Sequence, residues 1–83
     1  MTVRYAIVVE KAKRNFGAYV PDLPGCVATA PTRRAVERRI REAIEMHLAG
    51  MREDGVRPPR PSASSGWVEI ASAAAFRRTR KAG

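Results

Sequence analysis

The segment Pro21-Asp22-Leu23-Pro24-Gly25 restricts the fold more than any other stretch of the chain. Its prolines offer no amide to a β-ladder and clash with a helix interior, so the segment must be a loop. Pro24-Gly25 suits the central positions of a type II turn, whose second position needs the positive φ that glycine adopts freely. Short β-prone runs flank the loop. Phe16-Gly17-Ala18-Tyr19-Val20 precedes it as a strand, and Cys26-Val27-Ala28-Thr29-Ala30 follows as another. Further upstream, Val3 to Glu10 alternates. Val3, Tyr5, Ile7 and Val9 face one way, and Arg4, Ala6, Val8 and Glu10 the other, which predicts a strand with one well-buried face. The polar Lys11-Ala12-Lys13-Arg14-Asn15 closes the first two strands into an antiparallel hairpin.

Beyond the third strand the period changes. Thr32 is a good N-cap, because its hydroxyl can accept from an orphan amide one turn on. Val36, Ile40, Ala43, Ile44, Leu48 and Met51 then recur at helical spacing, predicting a helix to about Asp54. Glu37 and Arg41 are placed for an i,i+4 pair, and Gly55 is placed to end the helix in a left-handed conformation. Arg57-Pro58-Pro59-Arg60-Pro61-Ser62 reads as an extended connector, since its prolines exclude helix. Trp67-Val68-Glu69-Ile70 alternates and reads as a fourth strand. The expected architecture is α+β, in the order β-β-β-α-β: an antiparallel sheet with one helix packed on its apolar face. Residues 1–70 form the expected domain, and residues 71–83 a basic, flexible tail.

Length and charge bound the function. Eighty-three residues leave room for one domain, and a chain this small buries little enough surface that self-association is plausible. Hydrophobic residues are 45% of the sequence, too many for a disordered polycation. The net charge of +8 raises nucleic acid as a partner. Half of that charge, however, belongs to Arg77, Arg78, Arg80 and Lys81, the possible nucleic-acid contacts. Arg33, Arg34, Arg38, Arg39 and Arg41 make the first half of the helix basic as well. The single cysteine forms no internal disulfide, which suits a reducing cytoplasm. No apolar run approaches the ~18 residues of a membrane span, and the N-terminus lacks signal-peptide architecture.

Residues able to support catalysis are sparse. One Cys26 and one His47 do not fill a tetrahedral metal shell. As nucleophile and base they would have to meet from a strand start and from far along the helix. No phosphate-cradling glycine motif and no paired-carboxylate motif occurs. The residues therefore give no positive support for an enzyme, and no cofactor, metal or catalytic residue is expected.

The run Tyr19-Val20-Pro21-Asp22-Leu23-Pro24-Gly25-Cys26, preceded by the strand at Tyr5 to Glu10 and followed by a Thr32-capped helix carrying Arg41-Glu42-Ala43-Ile44, closely resembles the HicB-like antitoxin family of bacteria. The resemblance covers about residues 3–70. It implies a partial ribonuclease-H-like fold and a protein that neutralises a small HicA-type ribonuclease toxin by covering its active site. It also implies a homodimer or higher homo-oligomer. Ala35 stands where the family often has a capping-box Glu, and Arg34 and Arg38 make this helix more basic than usual. Only thirteen residues follow Ile70, too few for the operator-binding domain that many relatives carry. The expected toxin-binding residues are Tyr19, Asp22, Leu23, Pro24, Gly25 and Cys26, with Asp22 meeting a basic surface and Leu23 serving as an apolar anchor. Two other readings remain open at this point: a small basic nucleic-acid-binding protein, and an orphan oligomer of the same family without a toxin.

Overall fold

The computed structural model describes residues 2–71. Strands β1 (Val8–Lys11), β2 (Phe16–Tyr19) and β3 (Val27–Ala30) form an antiparallel sheet in the order β1-β2-β3, and helix α1 (Arg33–Glu53) follows. Val9, Ala18 and Ala28 lie side by side across the sheet on the face that α1 covers. Small alanines there let the helix approach closely, and Val36 and Ile40 are completely buried against them. Val20, Leu23, Cys26 and Ala30 complete the core. The architecture is α+β, as the alternating runs and the helical stripe require.

Both helix ends are built as the sequence predicts. The Thr32 hydroxyl accepts a hydrogen bond from the Ala35 amide at 3.1 Å. At the other end Gly55, at φ +72°, donates to the Arg52 carbonyl at 3.1 Å, and Val56 donates to the Met51 carbonyl at 2.8 Å. This is a Schellman closure. The expected Glu37–Arg41 pair is replaced by Arg33–Glu37, at 3.2 Å, on the exposed side of the first turns. Both arrangements are i,i+4, and an exposed pair contributes only a few tenths of a kcal/mol, so little selects between them.

Two strand assignments change. The first ladder begins at Val8 rather than Val3, because the partner strand turns away at Val20-Pro21 and leaves residues 3–7 nothing to pair with. The face assignment survives, since Tyr5, Ile7 and Val9 all pack against the core. The fourth strand is absent. Residues 67–70 belong to no ladder, and Trp67, Val68 and Ile70 are 99%, 83% and 67% exposed. Alternation marks a segment able to pair, but a strand exists only where a neighbour supplies hydrogen bonds. None adjoins this one.

Candidate partner-docking face

The Val20–Cys26 loop is two turns in succession. The Leu23 amide donates to the Val20 carbonyl at 3.1 Å, and the Cys26 amide to the Leu23 carbonyl at 3.0 Å. The Val20 amide closes the loop base on the Cys26 carbonyl at 3.2 Å. In the second turn Pro24 and Gly25 occupy the central positions, with Gly25 at φ +85°, which is the expected type II geometry. The loop is a rigid corner whose tip, Pro24-Gly25, is exposed.

The predicted site residues divide into three groups. Leu23, at 1% exposure, and Cys26, at 4%, point into the core. The expectation that Leu23 presents an apolar anchor to a partner is therefore corrected: each turn places its closing residue inward, and the largest apolar group of the loop fills the space beneath it. Cys26 is an uncharged small hydrophobe, since burial pushes its thiol above the ordinary range. It faces the core rather than acting as a nucleophile with His47.

Asp22 forms the second group alone. Its carboxylate accepts from the Ser62 hydroxyl at 2.7 Å, the Ser62 amide at 2.9 Å and the Ala63 amide at 3.0 Å. The Ser62 hydroxyl, and then the Ala63 and Ser62 amides, hold the carboxyl below its usual range. Asp22 is thus a latch for the connector, and its oxygens are occupied within the chain. A further anchor is the Tyr5 hydroxyl, which donates to the Pro59 carbonyl at 2.6 Å. Nothing in the sequence pairs Asp22 with residues 40 positions away.

Tyr19, Pro24 and Gly25 make up the accessible group. Tyr19 lies on the sheet face opposite α1, between Val8 on β1 and Val27 on β3 in one cross-strand row. Tyr19 is 42% exposed and Val27 64%. The next row, Glu10-Gly17-Thr29, is polar and flat. Arg39 reaches from the helix to the Thr29 carbonyl at 2.7 Å, covering part of the β3 edge. Sequence reasoning sets Val8 on the strand face opposite the buried one but does not single out Val8 or Val27 as part of a site. The usable signal was alternation, which sets both opposite the buried positions of their own strands. Arg77, Arg78, Arg80 and Lys81 lie outside the described residues.

Tyr19 thus sits between two valines on the sheet face opposite α1, next to the rigid corner. No helix among the described residues is long and apolar enough to cross a membrane. Residues 5–75 match the family of HicB-like antitoxins of bacterial toxin–antitoxin systems, and the chain belongs to that family. A UPF0150 protein of Helicobacter pylori strain J99 is 38% identical over 47 residues, covering 57% of this chain and 65% of that protein. An uncharacterised 14.9 kDa protein of Haemophilus phage HP1, from the rep-hol intergenic region, is 36% identical over 56 residues. That match covers 68% of this chain and 42% of the phage protein. The chain therefore spans less than two thirds of the length of either relative.

Proposed function

We propose that the chain is a cytoplasmic antitoxin that masks the active site of a small HicA-type ribonuclease, docking through the open face of the sheet. The observation that carries this reading, within a family of antitoxins, is the apolar row Val8-Tyr19-Val27, its Tyr19 and Val27 exposed and its Val8 half-buried, beside the Pro24-Gly25 corner. Tyrosine suits this role, as it brings a large contact area and a hydrogen-bonding hydroxyl at low entropic cost. Leu23 and Cys26 act beneath the surface in this reading, and Asp22 holds the connector. They fix the corner's shape and do not touch the toxin.

Co-expression with the neighbouring small reading frame tests the proposal. The frame alone should arrest growth, and this protein should restore it. Tyr19→Ala combined with Val27→Asp should weaken toxin binding roughly 100-fold, with the helical circular dichroism unchanged. A harmless neighbouring frame, or full rescue by the double variant, overturns the reading.

A further inference from the structure

The cations of α1 are unevenly used. Arg33 pairs with Glu37 at 3.2 Å, and Arg39 donates to the Thr29 carbonyl at 2.7 Å. Arg34, Arg38 and Arg41 are exposed, and among the described residues none of them has an ion-pair partner. They stand at i, i+4 and i+7, so they share one face of the helix. Together with Glu37 they line a shallow concavity of about 310 Å³. Glu42 and Glu53 fall on the far flank of this row by the same spacing. The first turn of α1 holds no acidic residue, although a helix N-terminus favours one.

The arginine row borders an open groove of about 680 Å³ between the N-terminal stretch and α1, and Arg41 lines both surfaces. Val3, Tyr5, Ile40, Ile44 and Leu48 supply the apolar walls of the groove, and Arg4 adds a guanidinium from the side opposite the helix. The Tyr5 hydroxyl is tied to the Pro59 carbonyl at 2.6 Å, which holds the ring in its wall. Of the carboxylates on these two surfaces, Glu37 is already paired with Arg33, which leaves Glu45 against Arg4, Arg34, Arg38 and Arg41.

We propose that this face of α1 and the adjoining groove bind single-stranded RNA through its backbone, with no preference for sequence. Such a strand has two unlike sides that match the two surfaces: phosphates along one edge and exposed base faces along the other. Arg34 to Arg41 span about 10 Å of helix axis, the length of a few successive phosphates. Bases then rest against the Tyr5 ring and the apolar walls. A duplex keeps its base faces stacked inside and has nothing to place in the groove. An acidic protein brings carboxylates without flat faces. RNA presents unpaired stretches as loops, bulges and ends, which makes it the natural occupant. The surface lies on the side of the sheet that α1 covers, away from the row containing Tyr19, so the inference does not rest on the toxin reading.

Fluorescence anisotropy of a labelled oligo(U) of about 12 nucleotides, titrated with the full chain, tests this. The unaltered protein should bind in about 50 mM salt and weaken steeply as salt rises. The triple variant Arg34→Gln, Arg38→Gln and Arg41→Gln should bind at least about 30-fold more weakly, with the helical circular dichroism unchanged. It should also flatten the slope of log affinity against log salt by about 2, as the loss of three phosphate contacts requires. Tyr5→Leu should weaken binding several-fold, whereas Tyr5→Phe, which keeps the ring, should not. The same helix triple should cost the same factor when Arg77, Arg78, Arg80 and Lys81 are all replaced by Gln. Absence of binding in low salt overturns the proposal, as does binding that the helix triple leaves intact, which would assign it to the terminal cations. Duplex RNA or polyglutamate-sensitive binding that matches oligo(U) in strength overturns it too, since charge alone would then suffice. Tighter binding to oligo(dT) than to oligo(U) overturns the choice of RNA.

Discussion

The Val20–Cys26 loop and the 56–71 segment are both rich in proline, and they behave oppositely. In the loop, prolines set the corners while Leu23 between them and Cys26 after them enter the core. In the connector, prolines keep the chain extended, and it touches the domain at Tyr5 and Asp22 through polar contacts. Proline content excludes helix and ladder in both places. What separates a folded corner from a tethered strap is whether a large apolar residue lies between the prolines at a position the turn directs inward. The loop is part of the core's architecture, whereas the connector is attached to its outside.

That contrast predicts unequal responses to substitution. Leu23→Ala should cost about 2–5 kcal/mol in urea unfolding, because it empties a fully enclosed site at the junction of loop and core. A cost under ~1 kcal/mol would mean that the loop is held from outside, as the connector is. Gly25→Ala should cost about 1–2 kcal/mol. A Cβ there meets no atom within 4 Å, so the penalty is purely that of holding an L-residue at φ +85°. Should Gly25→Ala prove neutral, the type II turn would not be a fixed corner, and the distinction between the two regions would narrow.

The corner and the helix were the most legible parts of the sequence. Pro24-Gly25 and Thr32 act through their own backbone and immediate neighbours, so local residues suffice to predict them. The helix end at Gly55 was readable for the same reason. Trp67–Ile70 reads as a strand from sequence because alternation reports the capacity to pair and says nothing of whether a neighbouring strand adjoins it. The candidate site was only partly legible. Tyr19 was found, but Leu23 was assigned to the surface because its inward direction depends on the two-turn geometry. The link from Asp22 to Ser62 and Ala63 is invisible from sequence, since it spans 40 residues and involves side chains that are equally suited to water. Val8 is legible as facing away from the core, but its neighbourhood with Tyr19 and Val27 depends on the strand register, which alternation within one strand does not give.

The smallest effect expected on global stability, and the one that isolates the connector, is release of the Asp22 latch. The carboxyl titrates below its ordinary value of 3.8 in the folded chain, because the Ser62 hydroxyl and the Ala63 and Ser62 amides favour its charged form. A carboxyl whose folded pKa is depressed stabilises the folded arrangement fully above its unfolded pKa, and that contribution fades as the pH falls through the folded value. The Ser62 and Ala63 amide resonances should therefore stay fixed throughout the neutral and mildly acidic range. They should move toward free-chain positions only below the usual carboxylate range, while Leu23 and Ile40 keep their native shifts. Asp22→Ala should produce the released pattern at neutral pH, leaving the urea unfolding midpoint essentially unchanged, as for a surface contact. If releasing the latch also loosened Leu23, loop and connector would be one cooperative unit, and the line drawn between them would be in the wrong place.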